Sequence, residues 1–114
     1  MTNVEYQARV LAREIKKSNI YNQYRRLQRK LSRDTHLYQQ LGEFRKAWFI
    51  LQNKPYEPDD AGQIARLRQQ YGNLLENADV REFLSAEQSL CTMLSQVNTL
   101  LYKSLDVDVS FLKD

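Results

Sequence analysis

Apolar residues recur at helical spacing along nearly the whole of this chain, and that pattern leaves few folds open to it. Three glycines and two prolines among 114 residues are too few for the many tight turns of a sandwich or barrel. Leu, Gln, Arg, Lys, Glu and Ala are plentiful, and all are good helix formers. The chain is predicted to be all-α: a small antiparallel helical bundle of four to five helices with a long C-terminal helix. Its length fits one domain, residues 1–114.

Local signals divide the pattern. Thr2 followed by Glu5 suits a capping box, and Val4, Ala8, Leu11, Ala12 and Ile15 form one stripe, so a first helix is expected over about residues 3–17. Ser18 or Asn19 caps a second helix, whose seam is Ile20, Tyr24, Leu27 and Leu31 at alternating steps of four and three. Asp34 caps a third, with Leu37, Leu41, Phe44, Trp48 and Leu51 as its seam. Tyr38, Ala47, Phe49 and Ile50 widen its apolar surface, so it is expected to be the most buried helix. The same residues also fit one helix bent near Asp34.

Pro55 and Pro58 form the one clear break, because each removes a backbone donor and pushes the preceding residue to extended geometry. Asp59 or Asp60 then caps a fourth helix with the stripe Ile64, Leu67, Tyr71, Leu74 and Leu75, weakened by Gly72. Asn77 to Asp79 turn the chain, and Asp79 can cap the last helix. Its stripe is Val80, Phe83, Leu84, Leu90, Leu94, Val97, Leu101 and Leu105. A helix of about 26 residues is about 39 Å long, more than the width of a small domain. Its far end, Leu94, Val97, Leu101 and Leu105, therefore needs cover from outside its own bundle, and a homodimer or higher homo-oligomer is expected. Val107, Val109 and Phe111 alternate with Asp106, Asp108 and Ser110 in the tail, which either lies extended along the bundle or frays.

Candidates for chemistry are few. His36 is the single histidine, set among polar neighbours at the start of the third helix. Cys91, the single cysteine, borders the apolar stripe of the last helix and reads as a small buried hydrophobe. No His/Cys spacing suits a metal, and no glycine-rich loop suits a phosphate. The expectation is a non-enzymatic protein with no cofactor. Glu5, Arg9 and Arg13 interrupt the apolar residues of the start, unlike a signal peptide, and no apolar run approaches a membrane span. A cytoplasmic protein is expected. Glu87 stands on the apolar stripe of the last helix. It is either at the wet edge of the core or paired, with an arginine or tyrosine of the first or second helix as its partner.

Charge is unevenly placed. The net charge is +3, but residues 1–54 carry +8 and residues 55–114 carry −5. Either the halves pack with signs matched or the basic half meets an acidic partner. Lys16, Lys17, Arg25, Arg26, Arg29, Lys30 and Arg33 occur with no acid between positions 16 and 33. At about 100° per residue, Arg26, Arg29 and Arg33 fall together, opposite the seam of the second helix. This face is either a solvated surface or a binding site. As a site it favours an acidic protein over RNA or DNA, because nucleic-acid binders usually present exposed aromatics and only Tyr21 lies near the arginines.

The order of residues resembles a known family. Ala8, Leu11, Ala12, Ile15, Ser18, Tyr21, Tyr24, Leu31, Asp34, Leu37, Leu41 and Phe44 are similar to the opening of the YlbF/YmcA proteins. Asn77, Val80, Phe83, Leu84, Ala86, Glu87 and Leu90 resemble that family's N-x-x-V-x-x-F/Y-L-x-A-E-x-x-L run. The resemblance implies a helical bundle that forms homo-oligomers and has no known catalytic activity. It implies regulators of competence, sporulation and biofilm formation, acting as adaptors with sister proteins and a membrane-anchored endoribonuclease in mRNA processing. Some members carry C-terminal cysteines linked to iron–sulfur binding; no cysteine follows Cys91 here, so no cluster is expected.

Overall fold

A computed structural model describes residues 2–108 and 110–112. Among these residues six α-helices follow one another: α1 (Asn3–Lys16), α2 (Asn19–Ser32), α3 (Thr35–Asn53), α4 (Asp60–Gln70), α5 (Gly72–Glu76) and α6 (Ala78–Ser104). A 3-10 turn (Ser110–Leu112) follows. Among the described residues there is no strand. The chain is all-α with a long last helix, and α6 at 27 residues is about 40 Å long.

The caps act where short polar side chains can reach orphan amides. Thr2 accepts from the Glu5 amide at 3.1 Å, Ser18 from Tyr21 at 3.2 Å and Asp34 from Leu37 at 3.1 Å. The Asp34 cap separates α2 from α3, so these are two helices. At the start of α6 the cap is Asn77, not Asp79. Its Oδ1 accepts from the Asp79 amide at 2.9 Å and the Val80 amide at 3.1 Å, which leaves Asp79 as an acid in the first turn.

After the proline break, Asp59 precedes α4 without a side-chain cap bond. Asp60 instead folds back, accepting the Glu57 amide at 3.0 Å and pairing with Lys54. The predicted fourth helix is interrupted at Tyr71–Gly72. The interruption lets Tyr71 meet the Phe44 ring edge-on at 5.6 Å while Leu74 enters the core. The end of α6 is a Schellman motif. Asp106 takes φ 54°, a conformation that Asp tolerates better than most residues. The Val107 amide then donates to the Tyr102 carbonyl at 3.2 Å and the Asp106 amide to that of Lys103 at 3.3 Å.

The core lies between α2, α3, α5 and the first third of α6. Leu27, Leu31, Leu41, Phe44, Leu74, Val80, Phe83 and Ala86 are its buried residues. Phe83 is fully buried and its ring sits 5.2 Å from that of Tyr24. Outside this region the helices are uncovered. α1 buries no residue. The third helix is not the most buried, since it buries Leu41 and Phe44 while Phe49 and Ile50 face solvent. Their stripe is wider than the surface that α2, α4 and α5 bring to it. The distal half of α6 is likewise open. The radius of gyration is 17.6 Å, against about 13 Å for a compact chain of this length.

Candidate functional site

The cationic face is made by the same periodicity that makes the core. Leu27 and Leu31 bury one side of α2 against α6, and the helical repeat then turns Arg26, Arg29 and Arg33 to solvent. Lys16 and Lys17 extend the exposed positive charge at the end of α1. The seven predicted residues do not all stay free. Lys17 pairs with Glu14 at 3.2 Å and Lys30 with Asp79 at 3.0 Å. Arg25 is half-buried and donates to Gln28 Oε1. Lys16, Arg26, Arg29 and Arg33 have no ion pair among the described residues. Tyr21, half-buried, offers little ring surface for stacking beside them.

The acidic half of the chain answers the basic half in part. Lys30–Asp79 ties α2 to α6, and Arg45–Glu87 ties α3 to α6. The second pair resolves Glu87. Its carboxylate accepts from Arg45 Nε at 3.3 Å and from the terminal guanidinium nitrogen, a forked arrangement. The partner is thus an arginine, but it comes from α3 and not from the first or second helix. The spacing within α6 carries no trace of which distant helix lies opposite.

The Arg45 guanidinium also stands 5.2 Å from the centre of the Phe83 ring. Burial works against its charge, but the hydrogen bond and charge of Glu87 outweigh that and hold its pKa above the ordinary value. Burial pushes the Tyr24 hydroxyl upward, and Glu87 and Tyr38 add to the shift while Arg45 opposes it. The contacts of Tyr24, Arg45 and Glu87 join α2, α3 and α6.

Beside the pair, a groove of about 710 Å³ opens between α3 and α6, walled by Phe44, Trp48, Phe49 and Leu84. Arg68 crosses the Trp48 ring at 5.7 Å. Cys91 borders this groove and is exposed, not buried, because α6 has by then left the core and no helix covers that side. His36 is exposed in the first turn of α3 and does not line this groove. Among the described residues no three His, Cys, Asp or Glu gather as metal ligands, and no helix is long and apolar enough to cross a membrane. Val109 lies outside the described residues; Val107 and Phe111 are exposed.

The predicted outer residues of the last helix lie beyond the core. Leu94, Leu101 and Leu105 are 44%, 51% and 70% exposed and Val97 is half-buried.

Comparison with known proteins matches residues 4–106 to the family model described as control of competence regulator ComK, YlbF/YmcA. A UPF0342 protein of Symbiobacterium thermophilum is 31% identical over 93% of this chain and 96% of its own. A UPF0342 protein of Caldicellulosiruptor bescii is 28% identical over 93% and 91%. One of Halothermothrix orenii is 27% identical over 90% and 89%. No solved structure matches the chain.

Proposed function

The chain belongs to the YlbF/YmcA family, whose model describes regulators of competence, and from this we propose a non-enzymatic adaptor that binds an acidic protein through the cationic face of α2. The observation that carries the reading is Arg26, Arg29 and Arg33 aligned on one exposed face without an ion pair among the described residues, on a helix whose other face is buried. A positive stripe on a rigid helix attracts and orients an acidic surface, and its contribution falls with salt. The resemblance to regulators that assist mRNA processing supports a partner in that machinery. Self-association through the open end of α6 accompanies the reading, and Leu94, Val97, Leu101 and Leu105 support it.

Reversal of Arg26, Arg29 and Arg33 to glutamate tests the site. Partner binding is expected to be abolished while helicity and oligomer size stay as in the wild type. Partner binding that survives the triple change refutes the assignment. Direct RNA binding by the same face is the second reading, favoured by seven cations with no acid among them between positions 16 and 33. Its signature is affinity for single strands that falls with salt at a slope of about −0.7 per phosphate contacted. Absence of binding at low salt removes it.

A further inference from the structure

We propose that α1 of one copy packs along the distal half of α6 of a second copy, and reciprocally, so that the homodimer is held by two exchanged helix pairs. The inference rests on the self-association reading above and assigns its contacts. Four observations lead to it.

The first is area. The chain exposes 9083 Å², whereas a compact monomer of 13.5 kDa exposes about 6,500 Å². The difference is about 2,500 Å² per chain, or about 5,000 Å² for two chains, at the upper end of the about 2,000–5,000 Å² that obligate dimers bury in all. The second is where that surface lies. Val4 and Leu11 on α1 are 80% and 39% exposed, and Leu94 and Leu101 on α6 are 44% and 51% exposed. Ile15 and Leu90, at the ends of these stripes nearest their own bundle, are half-covered. Two apolar arms therefore leave one small core.

The third is register. Val4, Ala8, Leu11 and Ile15 recur at steps of four, three and four, and Leu90, Leu94, Val97 and Leu101 recur at the same steps. Matched seams of this kind interlock as knobs and holes, and the small Ala8 and Ala12 admit leucines from a facing helix. The lengths agree as well, since α1 has 14 residues and spans about 21 Å, as does the stretch from Leu90 to Ser104.

The fourth is charge. No charged residue occurs between Gln88 and Tyr102, which is unusual for a helix that water surrounds. α1 carries Arg9, Arg13 and Lys16, with Lys17 at its C-cap, against Glu5 and Glu14. Packing α1 on α1 sets like charges together, and packing α6 on α6 leaves α1 open. Only the mixed pair covers both seams without opposing charges. Within one chain the pair does not form, because α1 packs chiefly on α2. The two-fold arrangement is closed, each copy giving α1 and receiving another.

The test mixes two full-length proteins, each with Cys91→Ser. One carries Ala8→Cys, the other Leu94→Cys or Val97→Cys, the central seam positions. The expected result is a disulfide between the two species after exchange of subunits, with Leu94 or Val97 preferred according to whether the helices run parallel or antiparallel. Sedimentation of the unmodified chain is run alongside. An oligomer that yields no mixed disulfide, or only α6–α6 disulfides, overturns the exchange and leaves self-association standing. A monomer overturns both.

Discussion

Removing the carboxylate of Glu87 leaves Arg45 as a charge only 34% exposed, resting on a buried aromatic ring and without its partner. The cost follows from that position. Hydrogen bonds to charged groups contribute about 1.5–3 kcal/mol when desolvated, and fully exposed ion pairs about 0–1 kcal/mol. With the two side chains 34% and 25% exposed, the forked pair falls between, and Glu87→Ala is expected to destabilise the protein by about 2 kcal/mol. For 114 residues the unfolding entropy is about 240 cal/mol/K, so the melting temperature should fall by about 8 °C. Glu87→Gln keeps an acceptor and the shape, so a fall of about 4 °C is expected. The assay is thermal unfolding by circular dichroism at one fixed protein concentration, because association adds to apparent stability. A cycle with Arg45→Ala should return a coupling of about 1 kcal/mol or more between the two positions. Unchanged melts for both Glu87 variants, or no coupling, would refute the claim that this pair joins α3 to α6.

Phe83→Ala removes the largest fully buried side chain and should cost about 3–5 kcal/mol, measured by urea unfolding; a loss below about 1 kcal/mol would contradict its central place. Cys91→Ser should leave the melt within about a degree, as exposure on α6 implies, and a fall of several degrees would return the cysteine to the core. Asp60→Asn should speed chymotryptic cleavage after the exposed Tyr56, because Asp60 holds both Lys54 and the Glu57 amide; equal rates would exclude that clamp. The Lys54 hydrogen bond, the Glu57 amide and the Lys54 charge hold the Asp60 carboxyl below its ordinary 3.8. Its stabilising contribution is therefore present above that value and lost as pH falls through the lowered one, so wild type and Asp60→Asn should converge in acid.

The fold was legible where physical signals are local. Helix starts at Thr2, Ser18 and Asp34 are each set by one side chain reaching an amide three residues on, and the proline break needs no distant partner. Asn77 against Asp79 was harder, since both can cap and the choice depends on which side chain the turn aims at the open amides. Glu87 was visible as a misplaced charge, but its partner 42 residues away in sequence depends on how α3 lies beside α6. Burial was overestimated at Cys91, Phe49 and Ile50 for one reason: periodicity shows which face is apolar, not how much neighbouring helix there is to cover it. The cationic face was readable as a run without acids, and Glu14 lies three residues before Lys17 on the same helix, whereas the partner of Lys30, Asp79, came only with the fold.

A tagged pull-down from a host-cell lysate, with and without nuclease and with the Arg26, Arg29 and Arg33 reversal in parallel, tests the proposed adaptor most directly. The account predicts an acidic protein that the wild type retains after nuclease and the reversed variant loses. A partner set that disappears with nuclease, or that the reversed variant keeps, would contradict it.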